Sequence, residues 1–108
     1  MKIFILTCFI SFVGFCSGVK AEIMGSARTG LDIASQICAE CYSVTPDRSL
    51  SPNVDAPSFK EIANIPGMSV QALYVWMRSP HPTMPNLALE FQDEEDLFAY
   101  ILSLKDEH

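Results

Sequence analysis

The chain has 108 residues, four cysteines and two histidines, and a formal charge of −6. That length makes one domain the expectation. The acidic balance excludes nucleic acid as a partner, since its phosphates would repel the chain; a protein partner is expected to offer a basic patch, with charge aiding encounter more than affinity.

In chain order, Met1 and Lys2 give a short positive start. Ile3 to Cys16 is almost wholly apolar, with bulky Phe4, Leu6, Phe9, Phe12 and Phe15. Val19-Lys20-Ala21 fits a small-x-small cleavage site before Glu22. This is the layout of a secretory signal peptide over residues 1–21. The alternative is an uncleaved anchor: Ile3 to Val19 is at the short limit for a span, which needs about 20 apolar residues. Contact with a membrane is expected only in that case. Phe15 stands where a small residue belongs if Cys16 were lipid-modified, which argues against a lipoprotein.

Cleavage would remove Lys2 and Lys20, take the charge to −8 and leave residues 22–108. A single core is marginal at that size, and a covalent staple or bound cofactor would help it fold. Cys8 and Cys16 would leave with the leader. Cys38 and Cys41 would remain, in a compartment expected to be oxidising.

Residues 22–28 read as a loose lead-in. From Gly30, the residues Leu31, Ile33, Ala34, Ile37, Cys38 and Cys41 recur mostly at three- and four-residue steps, which predicts one helix face. Tyr42 to Ala56 is a loop dense in turn formers, including Pro46, Asp47, Pro52 and Asn53. Pro57 is expected to open a short helix through Phe59, Ile62 and Ala63, broken by Ile65-Pro66-Gly67.

Ser69 caps a third helix carrying Val70, Leu73, Tyr74, Trp76 and Met77, which stops before Pro80. Ser79 to Leu89 is an irregular loop with three prolines. The last helix is predicted over Phe91 to Ser103, with Leu97, Tyr100, Ile101 and Leu104 as its stripe. Asp93 to Asp96 suit the positive end of its dipole and read as a solvated start. No segment alternates as a strand would. The expected fold is all-α: three to five short helices with long loops. Loops in helical bundles usually run about two to eight residues, so these long ones are expected to pack on a large apolar group.

Cys38-Ala39-Glu40-Cys41 is the first site motif. A thioredoxin-like couple needs a strand–helix–strand setting that is not visible. A zinc site needs four Cys or His ligands, and only His81 and His108 could complete it. A local disulfide is open, although so short a loop gains little. Thioether attachment of haem is the fourth reading, and it normally uses Cys-x-x-Cys-His. Here Tyr42 follows Cys41. Met84 lies in the proline-rich loop and is either core filler or a soft sulfur ligand for iron. No catalytic set stands out, so the chain does not read as an enzyme.

Four blocks then fall in order: Gly30-x-x-Ile33-Ala34-x-x-x-Cys38-x-x-Cys41; Ala56-Pro57-Ser58-Phe59 with Ile62-Ala63; Pro80-His81-Pro82-x-Met84-Pro85-Asn86; and Asp96-Leu97-x-Ala99-Tyr100-Ile101-x-Ser103-Leu104. Together, over residues 27–104, they resemble the small class I c-type cytochromes of Gram-negative bacteria. The resemblance implies a cytochrome c-like fold whose first and last helices cross, and a periplasmic location. It implies haem c held by Cys38 and Cys41, with Met84 as the distal metal ligand. It implies single-electron transfer with a redox protein partner. His81 matches a loop histidine that is structural or solvent-facing.

Tyr42 departs from the pattern at the proximal position. As phenolate it would bind iron as a hard anion, favour the ferric state and lower the potential, and its oxygen would reach further than an imidazole nitrogen. Three states stay open: attached haem with Tyr42 or water proximal, haem held by Met84 and the pocket alone, or a haem-free interaction or assembly module with a Cys38–Cys41 disulfide. In the last, Tyr42, Phe59, Trp76, Phe91 and Phe98 are the side chains expected to fill the centre.

Overall fold

A computed structural model describes residue 14 and residues 25–79 and 87–106. Apart from Gly14, the leader expected over 1–21 lies outside the described residues, as do the histidines His81 and His108, and Met84. The described residues form four α-helices and no strand: α1 (Ala27–Ile33), α2 (Phe59–Ala63), α3 (Val70–Arg78) and α4 (Phe91–Ser103). The all-α expectation holds. Among the described residues no helix is long and apolar enough to cross a membrane.

The first predicted helix is not continuous. α1 ends at Ile33, and Ala34–Cys38 forms a π-helical turn in which Ala39 N–H donates to the Ala34 carbonyl at 2.9 Å. Such single turns place an extra residue in the ladder and often sit at functional sites. Cys41 lies beyond the helix, in the turn that follows.

Pro57 does not open α2. Ser58 is the cap: its side chain accepts from Glu61 N–H while the Glu61 carboxylate accepts from Ser58 N–H at 2.8 Å. This reciprocal pair satisfies two donors that the first turn leaves unpaired. Ser69 caps α3 as expected, accepting from Ala72 N–H at 3.1 Å. Gly67, with φ of +80°, makes the bend between α2 and α3, a backbone region closed to most side chains.

α4 is the central element. Leu97 and Phe98 are buried, and Ala99, Tyr100 and Ile101 are nearly so. α1 crosses α4 closely enough that a Cβ at Gly30 would overlap the Asp96 carbonyl oxygen and lie 2.7 Å from Tyr100 Cβ. Ser26 N–H donates to the Asp96 carboxylate at 2.8 Å, so α4 holds the start of α1. Asp96 and Glu94 are therefore buried, which corrects the picture of a wholly solvated acidic start. Each has a partner from another element, as a buried charge requires.

Candidate functional site

The π turn delivers Cys38, and the chain then reverses. The Cys38 carbonyl accepts from Cys41 N–H at 3.2 Å and from Tyr42 N–H at 2.9 Å. The loop beyond is tied down by its own backbone. Asn53 N–H donates to the Cys41 carbonyl at 3.1 Å, Phe59 N–H to the Ser43 carbonyl at 2.9 Å, and Ser43 N–H to Ser51 Oγ at 2.9 Å. Tyr100 donates its hydroxyl to the Val44 carbonyl at 2.5 Å, fastening the loop to α4. The start of this loop is thus tied to Ser51, Phe59 and α4 beside the motif.

Cys38 and Tyr42 line one apolar cleft together with Phe59, Ile62, Leu73, Trp76, Met77, Leu97, Phe98 and Ile101. Its free interior volume is about 40 Å³, far below the roughly 300–1,000 Å³ of ligand sites. Cys41 is half-buried against the same core but is not among the lining residues. Tyr42 is only 8 % exposed, and its ring packs on Phe59 with centroids 5.7 Å apart, tilted by 52°.

Both thiols are free: the disulfide considered from the sequence is not formed. Burial pushes the Cys38 thiol up from its ordinary 9.0 to about 11. Its thiolate is disfavoured at neutral pH, so Cys38 is a poor nucleophile on its own and a redox-active dithiol role is unsupported. Among the described residues no three Cys, His, Asp or Glu side chains group to hold a metal ion.

The aromatic residues divide. Phe59 and Phe98 are interior, as expected. Trp76 lines the cleft yet remains 42 % exposed, so it is a wall at the mouth and not core. Phe91 lies on the surface, stacked on Tyr74 at 6.3 Å, and fills no interior space. Ile37, expected on the buried face, is also exposed, because the π turn rotates it outward. Met77 also lines the cleft, a place that membership of the apolar stripe of α3 does not by itself mark. Its four-residue spacing from Leu73, which also lines the cleft, was the available signal.

α3 is held to α4 by polar pairs. Arg78 meets the Glu94 carboxylate at 3.2 Å and lies 4.9 Å over the Tyr74 ring; Tyr74 donates its hydroxyl to Glu95. Burial and that hydrogen bond push the Tyr74 phenol up to about 12. The Tyr74 ring meets Phe98 edge-on at 4.8 Å.

No family model and no solved structure matches the chain. Cytochrome c-552 of Bradyrhizobium diazoefficiens is 33 % identical over 89 residues, covering 82 % of this chain and 85 % of that protein. The chain belongs to the cytochrome c family. Members of this family carry haem c and transfer electrons between redox proteins. The cytochrome c donor chemistry fits in part here. Two free sulfurs stand two residues apart beside a cleft whose lining is apolar, as a macrocycle's surface is, although its free space is far smaller than one. Tyr42, at the place where the motif has its histidine, packs in the core.

Proposed function

We propose that this chain is an exported, periplasmic, monohaem electron carrier and not an enzyme. Cys38 and Cys41 would hold haem c, Met84 would supply an axial sulfur, and Tyr42 replaces the usual histidine. Bound there, haem supplies a one-electron couple at its iron. The observation that carries the reading is the lining of one apolar cleft by Cys38 and Tyr42 in a chain one-third identical to a cytochrome c.

The chain's own residues would do the rest. Phe59, Ile62, Leu97 and Phe98 keep water from the cleft interior, and burial of a redox centre is one lever on its potential. Burial holds Cys38 as the neutral thiol, whose S–H would add across a haem vinyl group, sulfur to one carbon and hydrogen to the other, with nothing lost. The Ser43, Ser51 and Tyr100 hydrogen bonds fix the loop that carries Tyr42. The charge of −6 favours a redox partner with a basic patch. The expected leader would direct export, and membrane contact follows only if it is retained.

A second reading is a haem-free interaction or assembly module on the same fold. It is favoured by the Tyr42 ring, which occupies interior space that a cofactor would otherwise share.

The test is spectroscopic. Chain produced in a host with haem-attachment machinery is expected to show haem absorption that survives denaturation. Cys38→Ala with Cys41→Ala should abolish that survival. Met84→Leu should leave haem attached but lower the reduction potential, since loss of thioether sulfur disfavours the ferrous state. Protein that is colourless after maturation sinks the electron-transfer reading and leaves the module.

A further inference from the structure

Tyr42 stands where the Cys-x-x-Cys-His pattern has its histidine. Tyr42 is not placed as a spare side chain awaiting iron. It is 8 % exposed, belongs to the core, and packs on Phe59, itself 4 % exposed. Its backbone N–H is bonded to the Cys38 carbonyl. The next two residues are locked in turn: Ser43 is bonded through its N–H, carbonyl and hydroxyl, and Val44 through the Tyr100 hydroxyl. The ring is therefore positioned by the loop, independently of any ligand bond.

A phenol is bulkier than an imidazole and far less costly to bury, because most of its surface is apolar and only one end needs a hydrogen-bond partner. An imidazole at the same buried place would need both ring nitrogens satisfied or bound to metal. The substitution thus exchanges a residue that needs a metal for one that needs only packing.

We infer that Tyr42 is an interior plug: it fills the centre beside Cys38 and Phe59, so that this domain folds to a packed native state without haem. The marginal core of so short a chain is completed by a side chain of its own. This goes beyond the electron-transfer reading and does not depend on it. Loss of haem from the native protein would sink that reading and leave the plug intact. An unfolded haem-free chain would sink the plug and leave electron transfer standing.

The experiment uses the full chain carrying Cys38→Ala and Cys41→Ala, so that no haem is held covalently, purified until haem absorption is absent. Far- and near-UV circular dichroism are followed through thermal unfolding, with Tyr42, Tyr42→Phe and Tyr42→Ala compared in that background. The parent is expected to show near-UV signal and one cooperative transition, the marks of fixed packing that a molten globule lacks. Tyr42→Ala should lower the midpoint by at least about 12 °C, the scale of truncating a buried aromatic in a domain this small. Tyr42→Phe should cost no more than half of that shift. A parent without near-UV signal or cooperativity overturns the inference, as does a smaller shift for Tyr42→Ala or a Tyr42→Phe loss above that half.

Discussion

The α1–α4 crossing and the α3 side of the cleft are held together by different physics. At the crossing, Gly30 brings backbone against backbone, Ser26 N–H is bonded to buried Asp96, and Leu97 and Phe98 are sealed beneath. At α3, the contacts are the Arg78–Glu94 pair and the Tyr74–Glu95 hydrogen bond, with Trp76 and Val75 open to solvent. One region tolerates no added atom, whereas the other is a wall pinned at its polar rim. The first is a frame and the second a wall.

That contrast is open to test by mutation. The largest effect is expected at the frame: Gly30→Val should abolish cooperative unfolding or cost about 3 kcal/mol or more, since neither backbone can retreat. Phe98→Ala, at the junction of the two regions, should cost about 3–5 kcal/mol in chemical denaturation. Arg78→Ala should cost only about 1 kcal/mol. Its side chain is 60 % exposed and lies over Glu94, itself 10 % exposed, so cutting it back to Ala opens that carboxylate to water. If Arg78→Ala proved as damaging as Gly30→Val, the division into frame and wall would be wrong.

Cysteine chemistry sharpens the same comparison. In the haem-free protein with thiols intact, iodoacetamide should modify Cys41 well before Cys38 near pH 8. The Cys38 rate should rise with an inflection near 11. The folded state favours the neutral thiol, so its contribution to stability is whole below pH 9 and is lost as pH rises through about 11. The smallest effect belongs to the exposed face of the wall: Val75→Ser, at a residue 67 % exposed, should stay within about 0.5 kcal/mol by thermal unfolding.

Much of this architecture was legible in the residues. The last helix occupies Phe91–Ser103 as its acidic start and apolar stripe predict, and Ser69 caps α3. The π turn was not legible: a five-residue hydrogen bond from Ala39 to Ala34 leaves no mark in a pattern read at three- and four-residue steps. That one inserted residue turned Ile37 outward. The burial of Glu94 and Asp96 was hidden for another reason, since their partners, Arg78 and the Ser26 N–H, come from elements distant in sequence. Phe91 looked like core by type, but its position at the first turn of α4 puts it outside the stripe. Cys38 and Tyr42 share the cleft, while Cys41, the other half of the motif, packs against the core without lining it.

The central claim is that two sulfurs beside this cleft anchor an iron porphyrin. The most direct measurement is the intact mass of the protein taken from its native envelope under non-reducing conditions. The account predicts the mass of the polypeptide plus one haem, retained after unfolding. A mass equal to the bare polypeptide, or lighter by two hydrogens as a disulfide would make it, contradicts it.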